Sequence, residues 1–107
     1  LAHFGIDTIL FIVHYFFMTW GTPAEKETRR RIKISVWAYA YEIANTPVVS
    51  DAVFDVAAYQ IDLSVDTGMP HLDGWFCKHF DPCTGQWIHN HPQLDRIREI
   101  YERWYKC

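Results

Sequence analysis

Five side chains with the chemistry of zinc ligands, Cys77, His79, Cys83, His89 and His91, fall within 15 residues of one another. Thiolates and neutral imidazoles in that number could complete a tetrahedral site if the intervening chain folded back on itself. The intervals are C-x5-C and H-x-H, however, whereas structural zinc sites use C-x2-4-C knuckles and H-x3-5-H on one helix. The expectation is therefore no metal, with Cys77, Cys83, His89 and His91 as the set a zinc ion would have to use. Cys77 and His79 form the one close Cys/His pair available for nucleophilic chemistry. No G-x-S-x-G, H-E-x-x-H, P-loop or dinucleotide fingerprint accompanies it. Asp62, Asp66 and Asp73 flank Gly68-Met69-Pro70 without the D-x-D-x-D-G order of a calcium loop. Independent enzymatic activity is not expected.

Two further groups could hold a ligand or partner. Asp51 and Asp55 stand at i and i+4, where like charges repel by a few tenths of a kcal/mol unless a cation or donor lies between them. Both also lie near a helix start, where the macrodipole favours carboxylates, so charge placement behind a Ser50 cap explains them equally well. Arg29, Arg30, Arg31 and Lys33 form the basic cluster. Consecutive residues on a helix point to different sides, and Glu25 and Glu27 are spaced at i,i+4 to pair with Arg29 and Arg31. The cluster reads as a solvated face, or as a docking patch for a phosphate or an acidic partner. No aromatic stripe runs beside it to stack bases, so direct nucleic-acid binding is not expected.

The stretch from Tyr41 to Asp55, YEIANTPVVSDAVFD, resembles the helix-turn-helix hairpin of the small N-terminal domain of NAD-dependent DNA ligases. That hairpin has a tyrosine-rich helix, a proline turn and then S-D-x-x-Y-D. The resemblance covers roughly residues 23 to 64. In that family the domain closes over the nucleotidyltransferase domain and holds the nicotinamide mononucleotide half of NAD while AMP passes to a lysine. It implies a nicotinamide contact for Tyr41 and nucleotide-facing acids at Asp51 and Asp55. Glu42 stands where the family has histidine and Phe54 where it has tyrosine, which implies a repurposed pocket. No K-x-D-G motif occurs, so the chain alone is not a ligase.

The function this suggests is a non-catalytic, ligase-related binding protein. A phage accessory protein of the anti-defence or anti-CRISPR kind, blocking a host nuclease complex by protein contact, is the specific expectation. The alternative is a module that binds nicotinamide mononucleotide or NAD and works with a separate nucleotidyltransferase.

The elements that must position these residues are helical. His3, Asp7 and His14 fall within about 40° of one another on a helical wheel, while most of the first 20 residues are apolar, which predicts a first helix with one polar stripe. Gly21 ends it. Thr22-Pro23-Ala24-Glu25 supplies a cap, a first-turn proline and a capping-box glutamate for a helix from about 23 to 44, charged and solvated in its first half and apolar in its second. Asn45-Thr46-Pro47 breaks it, and Ser50 caps another helix to about residue 64, with Val53, Phe54, Ala57, Ala58 and Ile61 as its apolar side. Residues 66 to 90 read as irregular, broken by Gly68, Pro70, Gly74, Pro82 and Gly85, with a turn at Asp81-Pro82-Cys83-Thr84-Gly85 and a possible short β-hairpin near 76–88. Leu94, Ile97, Tyr101 and Trp104 predict a last helix over 91–105.

Composition sets the frame. Half of the 107 residues are apolar, which supports a single mainly α domain with a real core rather than a disordered chain. With 10 basic and 13 acidic side chains, no global field draws in nucleic acid. Three cysteines are too few and odd in number for a disulfide scaffold, so a reducing cytoplasm is expected, that of the host if the protein is phage-encoded. The apolar stretch Ile9 to Trp20 is 12 residues long, short of the roughly 20 that span a bilayer, and no basic flank or cleavage site marks a secretion leader.

Overall fold

The computed structural model describes residues 20–105. They form four helices and one 3-10 turn, with no strand among them: α1 (Pro23–Glu42), α2 (Asp51–Tyr59), α3 (Pro70–His79), the turn Gln86–Asn90, and α4 (Leu94–Trp104). No helix among the described residues is long and apolar enough to cross a membrane. The first helix expected from the sequence lies outside the described residues.

α1 is the spine. Thr22 and Glu25 form the capping box in both directions: the Thr22 hydroxyl accepts from the Glu25 amide at 3.1 Å, and the Glu25 carboxylate accepts from the Thr22 amide at 2.9 Å. Those bonds from Thr22, with a smaller contribution from Arg29, hold the Glu25 carboxyl below its usual range. At the other end Asn45 takes a left-handed conformation (φ 53), which its short polar side chain tolerates. The Ala44 and Thr46 amides bond back to the carbonyls of Tyr39 and Ala40, turning the chain toward α2.

The core lies between α1, α4 and the 3-10 turn. Ile34, Ala38 and Tyr39 from α1 pack with Ile88 and Trp87 from the turn and Ile97 and Tyr101 from α4, all buried. The Tyr39 and Tyr101 rings meet at 5.3 Å. Burial of Ile34 and Ile88 alone contributes roughly 1.5–3 kcal/mol each. Trp104, expected in the α4 stripe, is 65% exposed; it shares the face of Ile97 but is the last residue of the helix.

Three expectations are corrected. The first half of α1 is not wholly solvated: Glu27 is fully buried and Arg31 is 5% exposed. Arg31 bonds Glu27 at 2.9 Å and Asp73 at 2.7 Å, and its remaining donors reach the carbonyls of Asp62 and Val65. Glu27 also accepts from the Asp62 amide at 3.1 Å. This ion pair explains why α2 stops at Tyr59 instead of running to 64: the backbone groups of 62 and 65 satisfy buried charges in place of helical bonds. Third, residues 70–79 form α3 where irregular chain and a β-hairpin near 76–88 were expected. Pro70 occupies the first turn, Asp73 accepts from the Thr67 amide, and Trp75 and Phe76, with Phe80 just past the helix end, pack inward. Gly74 concealed this helix in the sequence, yet it is exposed, with open space where a Cβ would sit.

Candidate functional site

The α1–α2 connection and the turn before the 3-10 segment enclose a cleft of about 300 Å³. Every residue that the ligase resemblance marked lines it: Tyr41 and Glu42 from the end of α1, and Asp51, Phe54 and Asp55 from α2. The aromatic wall includes Trp37, from the apolar second half of α1. The far side is Cys83, Thr84 and Gly85.

Local sequence explains each placement. On α1, Tyr39 and Tyr41 are two residues apart and point to different sides: Tyr39 is in the core and Tyr41 is 49% exposed. On α2, Ser50 accepts from the Val53 amide at 3.2 Å, which starts the helix where Asp51 and Asp55 share one face. Val53, expected on the apolar side, is instead exposed. Gly85 brings the far wall close: a Cβ there would sit 3.4 Å from Cγ of Glu42 and 3.5 Å from Cβ of Ala38. The turn itself is held by the Asp81 carboxylate, which accepts from the Cys83 amide at 2.9 Å.

The electrostatics are one-sided. Among the described residues, three carboxylates line the cleft and no lysine, arginine or histidine does. Asp51 and Asp55 form no ion pair among the described residues, and Glu42 approaches only His89, at 4.0 Å from its Nε2. At the rim the Tyr59 hydroxyl and Cys83 Sγ are 3.4 Å apart. That contact, with Asp55 and Asp81 nearby, pushes the Tyr59 hydroxyl above its usual range.

The remaining candidates are dispersed. Arg31 does not belong to a docking face, because Glu27 and Asp73 hold it inside. Arg29 lies over the Trp20 ring at 5.6 Å, Arg30 bonds Glu27 at 3.1 Å, and Lys33 lies 5.0 Å from the Trp37 ring. Burial, with Arg30 adding to it, lowers the Lys33 ammonium below its usual range. Among the described residues no three His, Cys, Asp or Glu side chains gather as a metal site. Cys77 is exposed on α3, its thiol facing the Leu63 carbonyl. His91 is buried against Trp75 and Phe76, and burial lowers its imidazole to about 4.

In comparison with known protein families, curated proteins and solved structures, the chain matches none.

Proposed function

We propose that this chain is a non-catalytic binding module that engages a protein partner through the cleft between α1 and α2. The observation that carries this reading is the cleft's lining: half-exposed aromatic surface beside two carboxylates, Asp51 and Asp55, that form no ion pair among the described residues. Such surface costs free energy to leave bare and gains when an apolar, positively charged counterpart covers it. Nothing in the lining resembles a nucleophile–base pair, since Cys83 has Tyr59 as its bonded neighbour rather than an imidazole. An anti-defence role in a phage-infected cell, with a host nuclease complex as the partner, is the specific form of this proposal and draws on the ligase resemblance.

A second reading has its own support, because Tyr41, Glu42, Asp51, Phe54 and Asp55 line one cleft together. The cationic nicotinamide ring of the mononucleotide suits carboxylates and aromatic walls. Its phosphate would need cations from a separate nucleotidyltransferase, as the described residues of this cleft offer none.

One paired experiment separates the two. Affinity capture with wild type and with Asp55→Arg tests the protein-partner reading, which expects a specific partner recovered by the first and lost by the second. Amide NMR titration with nicotinamide mononucleotide and NAD tests the other. Capture that is indifferent to Asp55→Arg, together with saturable shifts at Tyr41 and Asp55, would replace the first reading by the second.

A further inference from the structure

Inside the protein one guanidinium is already recognised, and its surroundings define a pattern. Arg31 sits between two carboxylates, Glu27 at 2.9 Å and Asp73 at 2.7 Å, with its guanidinium carbon 5.4 Å from the Phe76 ring centroid. Carboxylates in the plane and an aromatic face beside it are what a flat, weakly hydrated cation favours.

Among the described residues, the cleft repeats that set of carboxylates and aromatic faces with no lysine or arginine in its lining. Asp51, Asp55 and Glu42 supply the carboxylates, and Trp37, Tyr41 and Phe54 the aromatic surface. Its volume of about 300 Å³ lies at the bottom of the roughly 300–1,000 Å³ range of small-ligand sites, a size for one long side chain rather than a folded peptide. The cleft is open on the Asp51 and Asp55 side, where both residues are exposed, so a side chain can enter from a chain running across the α2 face. We propose that the cleft recognises an arginine side chain on an exposed basic segment of the partner protein. This rests on the reading that the cleft is the binding surface and adds the chemistry of its occupant. A lysine ammonium meets the same charges but, as a strongly hydrated point charge, gains less from the aromatic wall and cannot bridge two carboxylates in one plane.

The test uses the isotope-labelled full chain and four blocked pentapeptides that differ at the central residue: arginine, its neutral isostere citrulline, lysine and glutamate. The arginine peptide is expected to give saturable shifts at the Tyr41, Phe54 and Asp55 amides, with affinity on the order of millimolar. Citrulline should bind about tenfold or more weakly, lysine about two- to fivefold more weakly, and glutamate not at all. Asp51→Asn with Asp55→Asn should weaken the arginine peptide about fivefold, and raising the salt should weaken it further. Equal binding of arginine and citrulline, shifts located away from the cleft, or no response to arginine each overturns the assignment. If arginine gives no response while nicotinamide mononucleotide or a captured partner still depends on Asp55, the arginine proposal fails and the cleft remains the site. If Asp55→Arg leaves every interaction intact, the cleft reading fails with it.

Discussion

Glu27→Ala should be among the most damaging single substitutions in the described fold. The Glu27 carboxylate is fully buried and accepts from Arg30 at 3.1 Å, Arg31 at 2.9 Å and the Asp62 amide at 3.1 Å. Truncation strands the Arg31 guanidinium with Asp73 as its only carboxylate and removes the Asp62 amide's bond to α1, leaving the 60–69 segment tied to that helix through the Arg31 bonds to the carbonyls of Asp62 and Val65. Breaking a buried pair on one side costs about 3–5 kcal/mol, against a total of roughly 5–15 kcal/mol for a domain of this kind. With a urea slope of about 1–2 kcal/mol per molar, the midpoint should fall by about 1.5–5 M, read by fluorescence of Trp87 in the core and Trp75 packed against it. Glu27→Gln keeps the shape and one acceptor oxygen, so its cost should be about half. Glu27→Ala with Arg31→Met should be less damaging than Glu27→Ala alone, because no guanidinium is then buried with a partner missing, while Asp73 keeps its bonds from Thr67. The exposed pair Arg98–Asp95, at 3.6 Å, supplies the control: Asp95→Ala should shift stability by less than about 0.5 kcal/mol. If Glu27→Ala costs no more than Asp95→Ala, the ion pair does not hold the segment and the reasoning is wrong.

Burial lowers His91 from its usual 6.5 to about 4, so between those values the unfolded chain binds the proton and the folded one does not. Its contribution is fully present above about 6.5 and is lost as pH falls toward 4; unfolding midpoints across that window should flatten in His91→Gln. Gly74→Ala, in an exposed helix interior with open space for the new Cβ, should stabilise by about 0.5–1 kcal/mol in the same urea assay. Ser50→Ala removes the bond to the Val53 amide and should cost about 1 kcal/mol, with amide exchange accelerating first across Asp51–Val53.

The ends of α1, the start of α2 and the α4 stripe are written locally. Thr22, Pro23 and Glu25 are a capping box within four residues, Ser50 needs only Val53, and Leu94, Ile97 and Tyr101 repeat at helical spacing. Local interactions of this kind depend on neighbours along the chain and survive translation from sequence to structure. The same holds for the cleft's membership: the residues from Tyr41 to Asp55 are close in sequence and meet because one proline turn folds two helices together.

Tertiary structure decided what sequence spacing left open. Asp51 and Asp55 satisfy both a helix-start and a ligand-facing role, and only the third wall, Cys83 to Gly85, turns their face into a cleft. Arg31 reads as one of four clustered cations until Asp73, 42 residues away, pulls it inside. Gly74 reads as a break until Pro70, Asp73 and the Trp75–Phe76 face are seen docked on α1 and the 3-10 turn. Local preferences amount to fractions of a kcal/mol per residue, whereas leaving a buried charge without its partner or an aromatic face unpacked costs several, so distant partners determine which side of each helix becomes interior.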